Sequence, residues 1–132
     1  MTTTLLGAVA SATAAVPRLY QLGKVPASPT YPYGVYSAVL GGGGYYTLDS
    51  ETKQRYGVVT LQAFGKTTDS ATDLLEDALG ALLDKQLTFD DYKPTTPLRA
   101  ALDQPSINRD PNDTGVIATT MPLTFLANKE TA

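Results

Sequence analysis

The sequence predicts an α+β fold, with one mostly antiparallel sheet packed against two main helices. Three observations carry that prediction. Residues 69–86 hold Ala71, Leu74, Leu75, Ala78, Leu79, Leu82 and Leu83 at i, i+3, i+4, i+7 spacing, the stripe of an amphipathic helix. Residues 33–40 (YGVYSAVL) and 56–64 are rich in Val and Tyr, as strands are. Residues 116–126 alternate, with Ile117, Thr119, Met121, Leu123 and Phe125 on one side and Val116, Ala118, Thr120 and Thr124 on the other.

Taken in order, Thr2 to Thr4 offer hydroxyl N-caps to a first helix that begins near Leu5. Leu5, Leu6, Val9, Ala10 and Val16 share one side of it, and Pro17 ends the run. An extended stretch, Arg18 to Leu22, precedes a Pro-rich connection over residues 23–32. Strand 33–40 runs into four glycines, Gly41 to Gly44. Extended structure resumes at Tyr45 to Leu48, Asp49 to Gln54 reads as a polar turn, and Tyr56 to Phe64 as a strand. The second helix has Asp69 and Asp73 at its positive end and Lys85 in its last turn, both suited to the helix dipole. Residues 87–97 read as a loop and Leu98 to Leu102 as a short strand. Residues 107–115 (INRDPNDTG) are dense in turn formers. In the final strand, Pro122 implies a sheet edge or a bulge. The 132 residues are read as one domain, with flexible loops near 41–54 and 87–97.

Composition narrows the function. The chain has no His, Cys or Trp. The commonest general base and metal ligand is therefore missing, as are thiolate nucleophiles and disulfides. Catalysis would rest on Asp, Glu, Lys, Ser or Tyr alone, so the chain reads as a non-enzyme with no cofactor and no metal. Net charge is −3, and the ten basic residues are scattered rather than gathered into the stripe that phosphate backbones require. Charged residues are 17%, against ~25% in an ordinary soluble domain, so Thr, Ser, Gly, Tyr and Ala cover much of the surface. Such a surface buries readily against other subunits. The apolar stretch from Leu5 to Val16 has no Lys or Arg before it and is too short to span a bilayer, so it reads as a helix of a cytosolic chain.

Four patterns imitate functional sites. Gly65-Lys66-Thr67 ends like a phosphate loop, but Thr60 stands where the required glycine should be. Asp110-Pro111-Asn112-Asp113-Thr114-Gly115 begins like a calcium loop, but its twelfth place is Met121 rather than Glu. Gly41 to Gly44 precede no helix, so they are a loop tip and not a dinucleotide fingerprint. The pairs Glu76/Asp77 and Asp90/Asp91 read as a solvated helix face and a loop. The eight tyrosines suit interfaces, being apolar in body and polar at the tip, and Tyr45 and Tyr46 are placed at a contact.

The order of these elements resembles the tail terminator (minor tail, neck-region) family of long-tailed bacteriophages. The likeness rests on the N-terminal helix with its Pro-rich link, the strand opening Tyr31-Pro32-Tyr33, the strand Arg55 to Phe64 running into the helix 69–86, and Asp110 to Gly115 opening the terminal strand. It implies a homohexameric ring in the virion, at the tail or neck, assembled in the host cytoplasm. That ring would cap the tail tube protein, halt its polymerisation and dock the head-completion (stopper) proteins. DNA would pass through the lumen without specific binding, past an acidic lining, and no membrane is involved. Under the same resemblance Tyr45, Tyr46, Arg55, Arg109, Asp110 and Asp113 are candidate intersubunit contacts. The competing classes are another neck or head–tail connector component, a stand-alone binding module with Tyr-lined loops, and a small hydrolase lacking His.

Overall fold

The computed structural model describes residues 3–41, 45–46, 53–90, 92–110 and 113–128. In chain order the elements are α1 (Leu5–Ala12), β1 (Leu19–Gln21), β2 (Tyr33–Leu40), β3 (Tyr45–Tyr46), β4 (Lys53–Gly65), α2 (Thr68–Leu82), β5 (Arg99–Ala100), β6 (Ser106–Asp110) and β7 (Asp113–Asn128). The strands form one sheet in the order β1-β2-β4-β7-β5, with β3 paired to β4 and β6 to β7. Only the β1–β2 pair is parallel. The fold is therefore α+β, as the periodicities require.

Both helices lie on one face of the sheet. Val9 of α1 and Ala71, Leu74, Leu75, Ala78 and Leu82 of α2 are buried with Tyr36, Val59, Leu61, Ala63, Met121, Leu123, Phe125 and Ala127. The sheet residues of that set obey the register: Tyr36 opposes Leu61, Leu61 opposes Met121, and Val59 opposes Leu123. Burial of the Tyr36 phenol there pushes its pKa up from 10.0.

Helix starts follow the sequence and helix ends do not. The Thr4 hydroxyl accepts from the Gly7 amide at 3.0 Å, and Thr67 forms a capping box with Ser70 at the head of α2. The expected helix to Val16 stops at Ala12, where the Thr13 hydroxyl donates back to the Val9 carbonyl at 2.8 Å. The expected helix to Gln86 stops at Leu82. Leu83 is extended, Asp84 has φ 62°, and the Asp84 amide donates to the Leu98 carbonyl rather than back along the helix. Lys85 therefore lies beyond the last turn and does not face the helix dipole, contrary to its sequence reading.

Two strands differ from expectation. The polar turn assigned to Asp49–Gln54 gives way at Lys53 and Gln54, which already pair with Tyr46 and Tyr45; the rest of that turn and Gly42–Gly44 lie outside the described residues. Ile107 to Asp110, read as turn, are in β6, a strand against Thr119 to Asp113. Pro122 is not on an edge strand, because β7 lies between β4 and the β5/β6 side. Its carbonyl accepts from the Ala101 amide, so its nitrogen points to the same side, into the gap between β5 and β6. The missing donor costs no ladder bond there.

The connection between α2 and β5 is irregular but tied. Leu87 and Thr95 bond to each other through the Leu87 amide to the Thr95 hydroxyl (2.9 Å) and the Thr95 amide to the Leu87 carbonyl (3.0 Å). The Lys93 and Thr96 amides donate to the carbonyls of Asn128 and Leu126, extending the sheet along β7. One core position is not satisfied: the Thr119 hydroxyl is buried with no hydrogen-bond partner. Exchanging Thr119 for valine keeps the shape and removes that orphan, so stability should rise by about 1 kcal/mol. Urea denaturation checks this; an unchanged or lower midpoint would show that the hydroxyl is satisfied in solution.

Candidate functional site

The second face of the sheet carries no helix. The register places Tyr33, Val35, Ser37 and Val39 of β2 on it, opposite Phe64, Gln62, Thr60 and Val58 of β4. Those four oppose Ala118, Thr120, Pro122 and Thr124 of β7, and Tyr56 opposes Leu126. Among these paired residues the open face holds no ionisable charge, only apolar side chains, tyrosines, threonines, Ser37 and Gln62. Tyr33 stacks on Phe64 with ring centroids 5.0 Å apart, stiffening one end of the face. At the other end Val39 is 63% and Tyr56 44% exposed, large apolar bodies left in water.

Beside Tyr56 the face deepens into a groove of about 600 Å³ lined by Thr96, Pro97, Arg99, Thr124, Phe125 and Leu126. Its depth has a local cause. The tied segment 93–97 stands beside the end of β7, with Thr96 bonded both ways to Leu126. Arg99 pairs with Asp84 at 3.2 Å on an exposed rim, a contact worth little in water. The groove holds no carboxylate and no convergent acid–base pair. Among the described residues no group of His, Cys, Asp or Glu is arranged to hold a metal ion, and no helix is long and apolar enough to cross a membrane.

The structure disperses the sequence-picked residues. Tyr45 and Tyr46 sit in β3, beside the start of β4. Arg109, Asp110 and Asp113 sit at the β6–β7 hairpin, near the far end of the same long pair. Eleven residues of β4 separate the two groups, roughly 35 Å at ~3.3 Å per residue, so they are two places and not one site. Their side chains lie outside the described residues. Arg55 is committed within its own chain: Nε donates to the Gly41 carbonyl (2.7 Å), Nη2 to the Leu40 carbonyl (3.1 Å) and Nη1 to the Tyr92 hydroxyl (3.1 Å). It clasps the end of β2 to the α2–β5 connection. Lysine cannot repeat that three-way fork, so Arg55→Lys should lose about 1–2 kcal/mol, read as a lower urea midpoint at unchanged slope.

The imitation motifs resolve as structure. β4 is paired through Gly65, and Thr67 caps α2, leaving no loop to cradle a phosphate. Lys66 lies over the Tyr31 ring at 4.6 Å. Asp110 to Gly115 joins two strands, not two helices, with Pro111 and Asn112 outside the described residues. Glu76 and Asp77 are exposed on the outer side of α2; Asp90 is exposed, and Asp91 lies outside the described residues. The open face itself escaped the sequence reading. Its signal was the absence of charge at every second position of three strands.

No protein-family model matches the chain, and no curated protein matches it in sequence. Among solved structures, a chain described as "Virion of native gene transfer agent (GTA) particle" matches with a TM-score of 0.67 at 14% identity. The match covers 97% of this chain and 96% of that one, and the likeness is one of fold.

Proposed function

We propose that this chain is a non-catalytic structural protein of a phage-like virion, the subunit of a hexameric ring that caps the tail tube. In that role it ends tube polymerisation and joins the tail to the head-completion proteins. The observation that carries the reading is the near end-to-end likeness in fold to a chain of a virion particle, met independently by the order of motifs in the sequence. The open, uncharged face and the scatter of basic residues agree with a protein that packs against protein and lets DNA pass. Contacts in a closed ring are heterologous and need two different surfaces per subunit. The β3 end and the β6–β7 end supply two such places, through Tyr45 and Tyr46 at one and Arg109, Asp110 and Asp113 at the other.

Negative-stain electron microscopy of the purified protein over a range of concentrations, with native mass spectrometry, tests this. Six-fold rings with an open centre are the expected result, on their own or on added tail tubes. A chain that remains monomeric and does not bind purified tail tubes would overturn it. The groove beside Tyr56 favours a second reading, a stand-alone binding module. That reading requires a monomer whose unfolding temperature rises on adding a ligand.

A further inference from the structure

The helix-free face of β2, β4 and β7 is too poor in charge to be an ordinary solvent surface and too small to hold a pair alone. Eight residues at ~3.3 Å and three strands at ~4.8 Å give a footprint of roughly 380 Å². A lone stable pair buries about 800 Å² on each partner, so this face needs further contacts beside it. A closed ring of one chain supplies them, since each subunit is held on two sides.

We propose that this face, with the groove beside Tyr56, seats a second copy of the chain, head to tail. The proposal rests on the assembly reading above and adds, to the two ends named there, the sheet face between them. Charge selects the partner: the sheet face has no cation and the groove only Arg99, already paired with Asp84, too little to hold a phosphate backbone. Charge also excludes one mate on the second copy. The outer side of α2 exposes Asp69, Asp73, Glu76 and Asp77, and pressing these onto an uncharged face would desolvate them unpaired. The sheet edges are the suitable mates. Leu22 stands 62% exposed just past β1, and Leu102 (46%) and Ile107 (52%) stand exposed on the β5/β6 side. One edge of a subunit can therefore enter the open face and groove of the next.

The native chain has no cysteine, so single thiols report cleanly. In full-length Val39→Cys, maleimide labelling should slow about tenfold on going from dilute to associating protein, while Asp73→Cys labels at one rate throughout. Val58→Lys puts a charge on the middle strand of the face, opposite Val39, and should weaken self-association by at least about 100-fold in sedimentation velocity. Asp73→Lys should leave association unchanged. Association through this face without six-fold rings would uphold the inference and sink the hexamer. Six-fold rings in which Val39→Cys labels freely and Val58→Lys still assembles would overturn the inference and keep the hexamer. A native chain with no self-association up to about 1 mM would overturn the inference as well.

Discussion

Replacing Phe89 by alanine should destabilise the fold by about 3–5 kcal/mol, a fall in Tm of roughly 10–20 °C. Phe89 is 1% exposed and belongs to an irregular connection, yet it is one of the largest fully buried side chains. Its ring stands 5.2 Å from Tyr92 and 6.4 Å, edge-on, from Phe125. Alanine leaves a cavity between the sheet and a segment held by only a few bonds, those of Leu87, Lys93, Thr95 and Thr96. Damage should spread, because the Tyr92 hydroxyl receives the Arg55 guanidinium that clasps Leu40 and Gly41. Combining Phe89→Ala with Arg55→Lys should therefore cost less than the sum of the two. Thermal unfolding followed by circular dichroism reads both. A loss under about 1 kcal/mol for Phe89→Ala would mean that the connection adds little to the core.

The second large effect is at Gly57. In a strand, alanine for glycine normally helps, because it removes entropy from the unfolded chain. Here a Cβ would fall on the Phe125 ring, 2.5 Å from Cε2 and 2.7 Å from Cε1. Phe125 is 2% exposed and wedged against Phe89, so it cannot swing away. Gly57→Ala is expected to lose about 2–3 kcal/mol, and a second change, Phe125→Leu, should recover part of that by vacating the ring's volume. A neutral Gly57→Ala in urea denaturation would show that the Phe125 ring has room to move.

What the sequence made legible follows from what periodicity can express. α2, β2, β4 and β7 each bury one face for several consecutive turns or pleats, and their apolar spacing shows it. β6 was hidden because its only large apolar residue, Ile107, is exposed and Asn108, Arg109 and Asp110 are turn formers; its strand geometry is imposed by pairing with β7. The end of α2 was hidden for a similar reason. Leu82 and Leu83 continue the stripe, but the Leu98 carbonyl captures the Asp84 amide and turns the chain. Both misses are tertiary contacts overriding a local pattern. The candidate interface was half legible. Alternation assigned Ala118, Thr120 and Thr124 to the second face of β7, but only the placement of both helices on the first face shows that neither helix covers it, Val35 being buried there and Val39 63% exposed.

On its β5/β6 side β7 has a step at Pro122 between two separately paired blocks, and residues 101–105 connect those blocks with Leu102 to Gln104 exposed. Since no ladder bond crosses this connection beyond the Ala101 amide, its length is uncoupled from the register on either side. Changes of length or charge at 102–104 should therefore leave both paired blocks in place. The proline is in that sense a grafting point, where the surface can be altered without refolding the sheet.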